Sequence, residues 1–234
     1  MNYELKIMNY YYLCSDFHKN RIADMLKAAF FDLDGVVFDT EPLYTKFWEQ
    51  QGQLLPLPID NFAKIIKGMT LVEIFQKYFP DERQQQQIRS NVENYEREME
   101  YRYVPGCKRI LEQLRASGVK LAIVTSSDAQ KMSNVYRQHP NLTTLFDLIL
   151  TSEDFDQGKP APDCYLSALA KFNYKKEECV VFEDSFNGIK AGRNADIRVV
   201  GVATTNPKEK LMPLCTDVID NFEDKHTEQL IESL

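Results

Sequence analysis

Histidine is scarce in this chain. Only His18, His139 and His226 occur among 234 residues, and none stands near a candidate catalytic motif. That argues against a Ser/His/Asp hydrolase and against a histidine-ligated zinc enzyme. The five cysteines (Cys14, Cys107, Cys164, Cys179 and Cys215) are odd in number and never spaced C-x-x-C. Such usage fits the reduced thiols of a cytoplasmic protein better than a disulfide frame or a zinc site. No apolar run approaches the length needed to cross a membrane. Basic charge is not in excess either: the formal net charge is −7, which argues against a nucleic acid or an acidic membrane surface as partner. A small phosphorylated substrate stays compatible, because a local lysine and a metal can reverse the field inside a cleft.

The most informative segment is Ala28-Ala29-Phe30-Phe31 running into Asp32-Leu33-Asp34-Gly35-Val36-Val37-Phe38-Asp39-Thr40. The apolar run reads as a buried strand, and ligands of open α/β sheets bind beyond the carboxyl ends of the strands. Carboxylates there suit a hard cation such as Mg²⁺, and a carboxylate can also serve as a nucleophile. On these residues alone a solvated turn built on Asp34-Gly35 is the competing reading.

From Val104 onward strands and helices alternate. Pro105-Gly106 opens a helix that Ser117-Gly118 closes. Strands are expected at residues 119–124, 146–150, 179–182 and 197–202, the last being the final clear one, with a helix at about 163–172. This pattern predicts an α/β fold, a Rossmann-like parallel sheet with helices on both faces. Residues 43–103 differ: they are polar and helical, with no comparable apolar run, and read as an inserted α-helical cap. The run Gln84–Gln87 is a solvated helix face or loop. The expected division is therefore an extension at 1–24 outside the catalytic fold, a core made of 25–42 and 104–234, and a cap at 43–103. Residues 1–24 lack the long apolar stretch and cleavage site of a signal peptide.

Asp32/Asp34, Thr125, Lys159 and Glu183/Asp184 each fall at, or just past, the carboxyl end of an expected strand. Singly they read as a turn, a helix-capping hydroxyl, a surface lysine and a polar loop. Together they place carboxylates, a hydroxyl and an ammonium around one crevice, which is what phosphoryl transfer requires.

In these motifs the chain resembles the haloacid dehalogenase-like superfamily, in the branch with a helical cap after the first strand. That branch includes β-phosphoglucomutase and many small-molecule phosphatases. The resemblance rests on the D-x-D-G-x-x-x-D-[ST] of Asp32 to Thr40, the strand-terminal Thr125, the G-K-P-x-P-D of Gly158 to Asp163, and the E-D-S-x-x-G-I of Glu183 to Ile189. It implies Asp32 as the nucleophile and Asp34 as the acid and base. Thr125 and the amide of Ser126 would bind the phosphoryl group with Lys159. Mg²⁺ would be held by Asp32, the Asp34 carbonyl and Asp184, with Glu183 as a ligand or behind one. Lys67-Gly68-Met69-Thr70 resembles the substrate-facing cap loop of the mutases, making Lys67, Gly68 and Tyr44 candidate substrate contacts. The chain departs from the mutase pattern twice: Tyr44 stands for the expected histidine and Leu71 for the phosphate-holding arginine. The expectation is a monomeric Mg²⁺-dependent phosphatase of small phosphorylated metabolites, sugar phosphates foremost. The alternative is a β-phosphoglucomutase interconverting β-glucose 1-phosphate and glucose 6-phosphate.

Overall fold

A computed structural model describes residues 26–54, 59–223 and 225–233; the expected extension at 1–24 lies outside them. Six strands form one sheet: β1 (Ala28–Phe31), β2 (Lys120–Val124), β3 (Leu148–Leu150), β4 (Cys179–Glu183), β5 (Arg198–Val202) and β6 (Asp217–Ile219). Their order is β3-β2-β1-β4-β5-β6, and every pairing is parallel. Ala28 of β1 faces Lys120 on one side and Cys179 on the other.

Alternation along the strands sends side chains to two cores. Ala29, Phe31, Leu121, Ile123, Val180 and Phe182 join one cluster; Ala28, Phe30, Ala122, Val124, Val181 and Val199 join the other. Both faces must therefore be covered, which explains why β1 and β4 read as unbroken apolar runs. Phe31 stacks on Phe182 with ring centroids 4.6 Å apart. Burying a side chain of that size contributes about 1.5–3 kcal/mol.

The helices follow in chain order. The first four follow β1: α1 (Glu41–Leu54), α2 (Phe62–Ile65), α3 (Leu71–Tyr78) and α4 (Glu82–Glu98). Then come α5 (Cys107–Ala116), α6 (Ala129–Gln138), α7 (Leu142–Leu145), α8 (Asp163–Phe172), α9 (Phe186–Asn194), α10 (Lys208–Leu211) and α11 (Lys225–Ser233). Ile110, Leu111, Met132 and Val135 bring α5 and α6 onto the first face. Tyr165, Ala168, Ile189 and Leu211 bring α8, α9 and α10 onto the second.

The four helices after β1 form the cap and carry a core of their own, with Phe47, Trp48, Phe62, Ile74, Phe75, Phe79, Ile88 and Val92. Two strands of chain join it to the sheet domain. They lie side by side where Val104 N–H donates to Val37 O at 3.0 Å and Asp39 N–H donates to Arg102 O at 2.8 Å. Met99 and Tyr101 already pack with the sheet core, so the cap's helices end at Glu98.

Two details differ from the sequence reading. The third strand begins at Leu148 rather than residue 146, because the short α7 and Phe146 precede it. A sixth strand, β6, follows the one taken as last: three residues at the sheet edge, beginning with an aspartate that pairs with Arg198.

Candidate active site

The chain order of the strands reverses between β1 and β4, and the crevice outside their carboxyl ends is where such folds hold ligands. Asp32 and Asp34 follow β1, and Glu183 and Asp184 stand at the end of β4. Lys159 reaches in from the loop before α8 and is fully buried. Its Nζ donates to Asp32 Oδ1 at 2.5 Å, to Glu183 Oε1 at 2.6 Å and to the Val124 carbonyl at 3.1 Å. Burial alone would lower the Lys159 pKa; Asp32 and Glu183 outweigh it and hold the ammonium well above its ordinary value. Burial raises Asp32 to about 7, Lys159 opposing and the neighbouring carboxylates adding to the rise.

Glu183 is saturated. Oε1 accepts from Lys159 and from the Tyr165 hydroxyl, and Oε2 accepts from the amides of Asp184 and Ser185 and from Ser185 Oγ. Its carboxylate is thus occupied in fixing Lys159 and the start of α9. Asp184 is different: it is buried, and its Oδ2 has no hydrogen-bond partner. Burial first, then Glu41, Glu183 and Asp32, push its pKa well above the usual range. Carboxylate oxygens of Asp32, Glu183 and Asp184 lie within 4.8 Å of one another. An orphaned oxygen in a crowd of carboxylates is what a hard cation would relieve, so the donor set fits Mg²⁺. Gly35 keeps that corner open. Its φ is +75°, and a Cβ there would stand 2.2 Å from Asp184 Oδ2.

Asp34 faces the same crevice from the other side and is gripped by three donors. Thr40 Oγ1 donates to Oδ1 at 2.5 Å, while Ser127 Oγ at 3.1 Å and Lys131 Nζ at 2.5 Å donate to Oδ2. Thr125 is buried beyond β2; its Oγ1 donates to Ser127 Oγ and accepts the Ser127 amide.

The cap closes the crevice. Ser126 Oγ donates to the Gly68 carbonyl at 2.9 Å, and Asn187 Nδ2 donates to the Lys67 carbonyl at 2.8 Å. Gly68 has φ +78°, and a Cβ on it would stand 2.7 Å from Ser185 Oγ, so the loop seats directly on the sheet domain. Between cap and sheet lies a cavity of about 470 Å³, whose walls include Asp32, Asp34, Tyr44, Lys67, Leu71 and Thr125.

The structure thus gathers Asp32, Asp34, Thr125, Ser126, Lys159, Glu183 and Asp184 at one place, with Tyr44, Lys67 and Gly68 across the cavity. Lys67 is not a free cation, for it pairs with Glu41 at the start of α1. Tyr44 donates its hydroxyl to Glu96 Oε1 at 2.6 Å, and its ring lies 4.6 Å from the Lys131 ammonium. Sequence reasoning missed Glu41, Glu96 and Lys131. Lys131 carried a signal, since it shares the face of α6 that Met132 and Val135 bury.

The family model described as haloacid dehalogenase-like hydrolase matches residues 29–202. The chain is 31% identical over 223 residues to the "Probable pseudouridine-5'-phosphatase" of Drosophila melanogaster, covering 90% of this chain and 96% of that protein. It is 30% identical over 189 residues to the phosphorylated carbohydrates phosphatase of Thermotoga maritima, covering 76% and 85%. The crystal structure of a β-phosphoglucomutase from Clostridium difficile superposes with a TM-score of 0.73 at 22% identity, over 89% of this chain and 98% of that one. At that identity the last similarity speaks for the fold.

Proposed function

The chain belongs to the haloacid dehalogenase-like hydrolases, and on that premise we propose that it is a Mg²⁺-dependent phosphatase of small phosphorylated metabolites, sugar phosphates foremost. The observation that carries the reading is the pairing of two differently held carboxylates at one crevice. Asp32 lies against the Lys159 ammonium, and Asp34 is held by Thr40, Ser127 and Lys131. One can attack phosphorus while the other handles the proton. The two relatives above, a probable pseudouridine-5'-phosphatase and a phosphorylated carbohydrates phosphatase, are in accord with this reading.

An Asp32 oxygen attacks phosphorus, and the P–O bond to the leaving group breaks. The departing oxygen takes a proton from Asp34, leaving phosphate esterified on Asp32. Water then attacks that phosphorus, gives its proton to Asp34, and frees phosphate and the Asp32 carboxylate. Thr125, the Ser126 amide and Lys159 hold the non-bridging oxygens, with charge placed in advance where it develops. Asp32, the Asp34 carbonyl and Asp184 would hold Mg²⁺, with Glu183 behind them. The bound ion would neutralise phosphoryl charge. Closure of the cap excludes water that competes for these contacts.

Hydrolysis is favoured over the mutase alternative by what the cavity wall carries. Leu71 and Tyr44 line it where a mutase would present a cation to a second phosphate, and Lys67 is already paired. The test is phosphate release from p-nitrophenyl phosphate and a panel of sugar phosphates, with and without chelator. Release that stops with chelator and with Asp32→Asn is expected; equal rates for wild type and Asp32→Asn would remove the nucleophile assignment. Faster conversion of β-glucose 1-phosphate to glucose 6-phosphate than to free phosphate would replace hydrolysis by isomerisation.

A further inference from the structure

We propose that Lys131 is a positioning residue that aims the Asp34 carboxyl group at the leaving oxygen and ties that aim to the closed cap. The inference rests on the phosphatase reading above.

Lys131 lies in the first turn of α6, its amide bound to the Asp128 side chain at 2.9 Å. The residue is 4% exposed, on a helix face it shares with Met132, Asn134 and Val135. A lysine in such a place needs a local anion, and the ion pair it makes is with Asp34. Tyr44 from the cap presents its ring to the same ammonium, and the Tyr44 hydroxyl is fixed by Glu96 on α4. The lysine is therefore held between the aspartate and the cap, and no motif of the sequence includes it.

The final torsion of an aspartate is broad, so the side chain does not orient itself. Thr40 and Ser127 supply neutral hydroxyls to Asp34, and Lys131 supplies the charged donor, opposite the oxygen that Thr40 binds. Charge-assisted contacts are the stronger ones. Misplacement of a reacting group by about 1 Å can cost on the order of 100-fold in rate. Loss of the ammonium should therefore appear in the step that needs Asp34's proton, and little elsewhere.

The experiment measures first-turnover phosphoryl transfer from p-nitrophenyl phosphate, whose leaving group departs without a proton, and from glycerol phosphate, whose alkoxide requires one. Lys131→Met should slow the alkyl ester about 100-fold and the nitrophenyl ester by no more than about threefold. Lys131→Arg, which keeps the charge but moves the donors, should show the same bias with a smaller loss, and it serves if Lys131→Met does not fold. Asp34→Asn run alongside should show the bias at full size. Equal losses on both esters, or no loss on either, would overturn the role of Lys131 while leaving the phosphatase reading in place. Wild-type protein inactive on both esters, or Asp34→Asn without bias, would overturn that reading and this inference together.

Discussion

Lys159 and Glu183 form an ion pair at 2.6 Å from which solvent is wholly excluded, and Asp32 closes on the same ammonium from the other side. One cation thus balances two carboxylates inside the protein. Because it is shared, the group proposed to hold the phosphoryl oxygens also joins the ends of β1 and β4.

Lys159→Met should accordingly lose both stability and activity. Removing one partner of a buried pair leaves an uncompensated charge and costs about 3–5 kcal/mol. Urea unfolding should show that loss, and p-nitrophenyl phosphate turnover should fall on the order of 100-fold or more. A variant as stable as wild type would show that the pair adds nothing to the fold.

Glu96 gives a pH signature that is independent of turnover. Burial raises its pKa from 4.5 to about 7, against the opposing pull of Lys131 and the Tyr44 hydroxyl. It holds its proton more tightly in the folded protein than in the unfolded chain. Its contribution is fully present below pH 4.5 and disappears as pH climbs through about 7. Glu96→Gln, which keeps an acceptor for Tyr44, should gain on wild type across that window and level off at up to about 3 kcal/mol above it. Urea midpoints measured from about pH 5 to 8 test this, and a difference that does not change with pH would refute it.

Asp184→Asn should raise the Mg²⁺ concentration for half-maximal activity at least about tenfold, since it removes a charged hard ligand. A direct Mg²⁺ titration by calorimetry should show the same weakening without any substrate. The melting temperature should hold or rise, because the orphaned Oδ2 and its repulsion by Asp32 and Glu183 are relieved. Unaltered metal affinity would place the ion elsewhere.

The sheet was legible because β1, β2, β4 and β5 are buried on both faces and written as apolar runs. β6 was not, since Asp217-Val218-Ile219 is short, begins with a charge and pairs on one side. Asp32, Asp34, Thr125, Lys159, Glu183 and Asp184 could be placed together because each follows a strand whose direction the alternation fixes. Lys131 and Glu96 could not. Each lies within a helix, where a charged residue ordinarily faces solvent, and only the approach of cap to sheet turns both toward one cavity. Lys67 reads in sequence as a candidate substrate contact, whereas its pairing with Glu41 depends on where the loop seats.

The cap loop is held by its backbone: Ser126 and Asn187 grasp the carbonyls of Gly68 and Lys67 and take no grip on the side chains. The latch itself therefore does not read the side chains of residues 67, 69 and 71, whose own contacts, Met69 and Leu71 on the cap core and Lys67 with Glu41, stay within the cap. Substitutions at those three positions can rewrite which molecule is admitted while the door still shuts on the same hinge and catch, so new selectivities can be sampled without first surrendering closure.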